Sequence, residues 1–305
     1  MTHSSHDHDH DHDYDYDAIV VGGGPAGLQA TLTLARVHRR VLMLDSGRYR
    51  NDPAGHMHNV VTHDGTPPAD FRKLAREQVA AYPTATIWED TVLAVRPEGK
   101  GYAVQLDDPD QTVLTARGLL LATGVRDVLP DVPGVAELWG DLVVHCPFCH
   151  GHEFADRPVA VLGTLPAGHL PGILAPVVAR TTVLTHGEAP VPTAAQETRT
   201  ERVTGLARHG DGVRITFEAG PDLEVAGVYV STTLEQTTPF AAQLGLTTLP
   251  SGCVEVDVMG RTSLPRVHAA GDMAHVAALP MPMSSVISAA ASGAMAAGSL
   301  VAALL

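Results

Sequence analysis

The chain reads as an α/β protein made of two Rossmann-like, three-layer ββα domains, the first interrupted by insertion of the second. Three observations predict this. Strand, glycine turn, helix, strand and acid follow one another over 18–45, within the roughly thirty residues of one βαβ unit. A second apolar strand running into a turn starts at Val159, and a strand ending in Gly271-Asp272 returns late in the chain to the pattern of the first domain. The expected division is a tail at 1–17, a first domain at 18–127 and 236–305, and an inserted domain at 128–235.

Residues 1–17 hold six aspartates and five histidines in near alternation, the composition of a solvated, disordered tail. Ala18-Ile19-Val20-Val21 is a short buried strand leading into Gly22-Gly23-Gly24-Pro25-Ala26-Gly27. Leu28, Leu32, Leu34 and Ala35 then recur at helical spacing, and Val41-Leu42-Met43-Leu44 ends at Asp45, 18 residues after Gly27. In this context the glycines have distinct tasks. Gly22 makes the tight turn, Gly24 lets a pyrophosphate approach the backbone, and Gly27 lets the helix pack on the strand. The helix N-terminus faces the phosphates, and Asp45 would accept hydrogen bonds from an adenosine ribose.

The Pro-, Gly- and His-rich run 51–68 reads as a long loop, and a helix is expected near Phe71–Ala81. Strand-like runs follow at 92–96, 102–106 and 112–115, then a buried strand ends in Ala122-Thr123-Gly124. In the insertion, Val159–Gly163 and Thr182–Thr185 look like two strands of a βαβ unit. The turn between them, Gly163-Thr164-Leu165-Pro166-Ala167-Gly168, carries a leucine where a second dinucleotide would need its close-approach glycine. No arginine follows the second strand to meet a 2′-phosphate. The stretch Val276–Leu305 has no charge, but its small residues, prolines and lack of basic flanks fit a tightly packed core helix better than a membrane span.

The 305 residues carry a net charge of −14, which argues against nucleic acid or an anionic membrane as partner. Only Cys146, Cys149 and Cys253 occur, with no signal peptide, so a reducing cytoplasm is the expected compartment. In His145-Cys146-Pro147-Phe148-Cys149-His150-Gly151-His152, the C-x-x-C is either a dithiol/disulfide centre or half a metal site. A zinc site would need His145, His150 or His152 as further ligands. Composition favours the redox reading, with no metal.

Together, GGGPAG at 22–27, LLLATG at 119–124, CPFC at 146–149 and AAGD at 269–272 resemble the low-molecular-weight thioredoxin reductases, in order and spacing, over nearly the whole chain after residue 17. More narrowly, CPFCHGHEF is similar to the motif of FAD-dependent dithiol oxidases of the gliotoxin and holomycin type. The resemblance implies FAD held by Gly22, Gly24, Pro25, Ala26, Gly27, Asp45, Ser46, Arg50, Ala122, Thr123, Gly124, Gly271, Asp272, Ser285 and Val286. It also implies a homodimer. This chain departs from the reductases in His150, where they place an aspartate, in the altered turn at 163–168, and in Ser284-Ser285-Val286 in place of Arg-Gln-Ala.

The activity so implied is oxidation of a small-molecule dithiol natural product, with dioxygen as acceptor and peroxide as product, in secondary metabolism or self-protection. Cys146 would exchange with substrate, Cys149 would face the flavin, and Pro147 would put Cys149 near a helix N-terminus that lowers its pKa. His150 is the candidate general base, since imidazole titrates near neutral pH. The exposed Met/Pro run 276–283 suits a small apolar substrate. The competing readings are a disulfide reductase fed by NADPH or ferredoxin, and a flavin-bearing sensor or binder.

Overall fold

The computed structural model describes residues 14–305. The alternating His/Asp run of the expected tail lies outside these residues. Positions 14–17 are ordered: Asp15 accepts hydrogen bonds from the N–H and hydroxyl of Thr115, and Asp17 accepts from the Arg40 N–H and pairs with Arg117. The first strand accordingly starts two residues before the apolar run.

The chain forms two compact units. The first begins with β1 (Tyr16–Val21), α1 (Pro25–Arg36), β2 (Val41–Leu44), α2 (Pro68–Ala80), β3 (Ala85–Trp88), β4 (Val92–Glu98), β5 (Gly101–Leu106) and β6 (Val113–Leu121). The two runs expected at 112–115 and 119–124 are one continuous strand. It pairs antiparallel with β5 at one end and parallel with β1 along most of its length.

The second unit comprises 51–68 and 127–233. It contains β7 (Val143–Val144), the one-turn α3 (Pro147–His150), β8 (Pro158–Leu162), β9 (Arg180–Leu184), β10 (Glu197–Arg199) and β11 (Gly227–Val230). Its parallel sheet runs β10-β9-β8-β11-β7 over a core that includes Val143, Val159, Val161 and Tyr229. Residues 51–68, expected in the first domain, pack here instead. Gly140, at φ +86°, lies so close to Pro53 that a Cβ on it would fall 2.6 Å from that proline's own. Close approach and ion pairing, invisible in local composition, set this allegiance.

The first unit resumes with β12 (Val267–Ala269) and α4 (Val286–Ala303). Its seven-stranded sheet has the order β3-β2-β1-β6-β5-β4, with β12 paired beside β6. Both faces are covered, as a parallel sheet requires. Ile19, Val21, Leu42 and Leu44 point to a core with Phe240 and Leu244; Ala18, Val20, Val41 and Met43 point to α1 and α4. The uncharged helix α4 is long and apolar enough to span a membrane by length and composition. Its Gly293, Ala296, Ala297 and Leu300 are buried against α1 and the sheet, so that this stripe serves as a wall of the core.

Candidate functional site

In the first unit, register brings four distant segments to one edge. Leu44 pairs with Val21, Val21 with Leu121, and Leu121 with Ala269, so β2, β1, β6 and β12 end in one row. Asp45, Gly22, Ala122 and Ala270 leave that row side by side. This is the carboxyl edge of a parallel sheet, where nucleotides bind in such folds.

The glycine turn has the geometry its spacing predicts. Gly22 has φ +113°, and a Cβ there would fall 2.3 Å from the Ala122 carbonyl oxygen. Gly27 is equally tight, 1.8 Å from the Gly22 oxygen, whereas a Cβ on Gly24 would meet nothing within 4 Å. Gly24 therefore borders open space at the start of α1, whose N-cap makes no side-chain hydrogen bond and which has Pro25 at its first turn. An uncapped N-terminus beside open space fits a diphosphate: its first N–H groups need acceptors and its dipole favours negative charge. Ala26 packs under Gly271 and Gly293, which draws α4 onto the same turn. Thr123 accepts from the Thr237 hydroxyl through its carbonyl, and Gly124 turns at φ +69°.

Asp45 is buried. Its carboxylate accepts from the Gly47 N–H at 3.1 Å and the Tyr49 hydroxyl at 2.6 Å, and pairs with Arg76. Burial, then the bond to Asp45, raises the Tyr49 pKa. Arg72 stacks on the Tyr49 ring at 3.7 Å. Asp45, Ser46, Tyr49 and Arg76 line a cavity of about 200 Å³. Sequence spacing missed Tyr49, Arg72 and Arg76; the arginines come from α2, with Arg76 31 residues beyond the acid.

Asp272 and Arg50, 222 residues apart, form a 2.8 Å ion pair, and Arg50 also donates to Ser284 at 2.8 Å. Ser285 is the N-cap of α4, accepting from the Ser288 N–H, and Val286 is its first residue. Met281 and Met283 are exposed. Cys253 is buried with its sulfur 3.5 Å from the Asp272 carbonyl, and burial raises its pKa, the setting of an inert thiol.

In the second unit Cys146 and Cys149 are joined as a disulfide, with Cα atoms 5.3 Å apart. Cys146 is the N-cap of α3 and Pro147 its first residue; the Cys149 and His150 N–H groups donate to the Cys146 carbonyl. The expected dipole is that of a single turn. Phe148, between the sulfurs in sequence, is 67% exposed. His150 is partly buried, and its Nδ1 is inaccessible and without a hydrogen-bond partner. Its pKa is lowered, first by burial, with His58 adding to the fall and Glu153, Asp141 and a hydrogen bond with the Gly140 backbone opposing it. The imidazole is thus kept neutral near pH 7, the form that takes a proton. His145 stacks on Trp139.

The turn at 163–168 departs from a nucleotide cradle. Leu165 is 78% exposed, and the Thr164 hydroxyl donates to the Glu188 carboxylate at 2.5 Å. A carboxylate held at this turn repels phosphate.

Comparison with known proteins agrees with this anatomy. Residues 16–298 match the pyridine nucleotide-disulphide oxidoreductase family. A probable thioredoxin reductase of Arthroderma benhamiae is 41% identical over 152 residues, 48% of this chain and 38% of that protein. The thioredoxin reductase sirT of Leptosphaeria maculans is 32% identical over 307 residues, 90% of each chain. The crystal structure of HlmI superposes with a TM-score of 0.84 at 30% identity, covering 95% of this chain and 92% of that one. This chain belongs to the pyridine nucleotide-disulphide oxidoreductase family, as a thioredoxin reductase-like, FAD-binding enzyme of thiol and disulfide chemistry.

Proposed function

We propose that this enzyme is a dithiol oxidase, closing a disulfide within a small-molecule dithiol and passing the electrons through Cys146 and Cys149 to dioxygen. The observation that carries the direction of flow is the turn at 163–168. With Leu165 at the close-approach position and Glu188 bonded to Thr164, the second Rossmann-like domain offers poor terms to NADPH. This weighs against a nicotinamide donor, though not against ferredoxin, and in the proposed reading the electrons come from the substrate thiols.

The residues of the first unit's carboxyl edge, together with Ser46, Arg50, Asp272, Ser285 and Val286, would hold FAD, which would supply the acceptor for two electrons from the reduced pair and their outlet to dioxygen as peroxide. The substrate's first thiolate attacks Cys146 and breaks the enzyme disulfide, leaving a mixed disulfide and a Cys149 thiolate. Its second thiolate displaces Cys146 and closes the substrate ring. The first substrate thiol gives its proton to His150, neutral by virtue of its burial, and His150 passes that proton to solvent before taking the second. The exposed Phe148 between the two cysteines suits an apolar substrate better than a charged one. A reducing cytoplasm fits the three cysteines.

The reading extends to a homodimer. Ile287, Ala291, Met295, Gly298 and Ala302 form an exposed, uncharged stripe on α4, opposite the stripe that meets the core. Contiguous apolar surface of this kind favours burial against a second copy.

The relatives' names favour a second reading, a disulfide reductase; NADPH or ferredoxin would be its electron source. One experiment separates the two. Under anaerobic conditions a small dithiol should bleach the flavin without nicotinamide, Cys146→Ser should abolish that bleaching, and air should restore the colour with peroxide release. Rapid bleaching by NADPH or by reduced ferredoxin, with none by dithiols, would overturn the oxidase.

A further inference from the structure

The segment 51–68 brings a second imidazole to the redox end of its own unit. His58 lies between two carboxylates, Nε2 3.4 Å from Glu153 and Nδ1 3.6 Å from Asp64, with its side chain 25% exposed. Glu153 follows His150 by three residues, on the turn that continues α3, which puts the two side chains on one side. The contact of Pro53 with Gly140 pins the same segment against the turn that carries Asp141. Three charged or titratable groups act electrostatically on His150: Glu153 on the following turn, His58 on the 51–68 segment, and Asp141 on the turn before β7. The disulfide next to it does not titrate.

We propose that Glu153 and His58 are positioning residues for His150, a carboxylate–imidazole pair that sets the pH at which His150 takes the substrate's thiol proton. The inference rests on the reading of His150 as general base. In that step the proton moves from substrate sulfur to His150, no electrons are transferred, and the thiolate left behind attacks Cys146. The imidazolium so formed is stabilised by the Glu153 charge. His58, when protonated, weakens that effect, both by its own charge and by its pairing with Glu153. Glu153 thus favours protonated His150 and His58 disfavours it, in accord with the signs of their influence on its pKa.

The two partners make opposite predictions, which a merely structural role does not. The measurement is the rate of anaerobic flavin bleaching by excess dithiothreitol in the full-length holoenzyme, from pH 5 to 9, for wild type, Glu153→Gln, His58→Gln and His150→Gln. Glu153→Gln should move the acidic limb down by about half a pH unit, and His58→Gln should move it up by a similar amount, both sizes discounted for partial exposure. Glu153→Asp should restore most of the wild-type position. Unmoved limbs in both variants, or shifts in the same direction, overturn the proposal. His150→Gln tells that failure from failure of the base reading: the limb should vanish there, and an unchanged limb removes His150 itself. Flavin content and thermal midpoint confirm that each variant is folded; both altered side chains are partly exposed, and their loss is expected to cost under about 1 kcal/mol.

Discussion

At the scale of single residues, the glycine turn separates two demands that a motif merges. Gly27 is required by the protein, since any Cβ would collide with the Gly22 carbonyl oxygen; a Cβ on Gly24 would meet nothing in the fold, so a demand for glycine there would come only from a bound group. Gly27→Ala should therefore lower stability by about 2 kcal/mol or more through overpacking. Gly24→Val should cost about 1 kcal/mol, the difference in N-cap preference, yet purify without flavin. Absorbance at the flavin band and thermal denaturation of both variants check the contrast; full flavin in Gly24→Val would remove this residue from the cradle. The turn was legible in the sequence because a tight strand-to-helix turn needs those glycines at fixed spacing. Arg76 and Arg72 were not, because the packing of α2 brings Arg76 onto Asp45 and Arg72 onto the Tyr49 ring; Tyr49, four residues from Asp45, belongs to no motif that marks it.

At the scale of elements, the contact of β12 with α4 hides an ionisable group. His268 is buried, its Nε2 3.0 Å from the Ser299 hydroxyl, which also accepts from Arg261. Burial first, and then the nearby Arg261 charge, push its pKa down from 6.5 to about 4. The unfolded chain takes up this proton below about pH 6.5 and the folded chain only near pH 4. Stability is therefore whole above 6.5 and falls as pH drops through that window, by on the order of 3 kcal/mol at pH 4. Denaturant midpoints measured from pH 7 to 4 should show the loss, and His268→Asn should flatten most of the slope. The helix itself was readable: an uncharged small-residue run predicts close packing, and Gly293 sits 2.1 Å, at its would-be Cβ, from the Ala26 oxygen. His268 as its partner was not, since a histidine in a strand carries no local sign of what lies across from it.

At the scale of the whole molecule, the proposed homodimer puts its contact on the outer stripe of α4. Met295→Glu would put a charge at the centre of that stripe. Sedimentation should then show monomer in place of dimer, with the monomer's flavin spectrum retained. A dimer that persists would send the search for the interface elsewhere.

What the sequence determined by itself is the frame and the thiol/disulfide class of the chemistry, the latter through its resemblance to a known family. Two Rossmann-like units, the glycine turn, the late Gly-Asp strand and the Cys146–Cys149 pair follow from local periodicity and from residues whose backbone needs are specific. Tertiary structure alone decided which segments keep company. It aligned the ends of β2, β1, β6 and β12 in one row, closed Arg50 onto Asp272, and gave 51–68 to the second unit so that His58 meets Glu153. Local pattern reports the forces between near neighbours in the chain, whereas register, burial and ion pairing act between residues that only folding brings together.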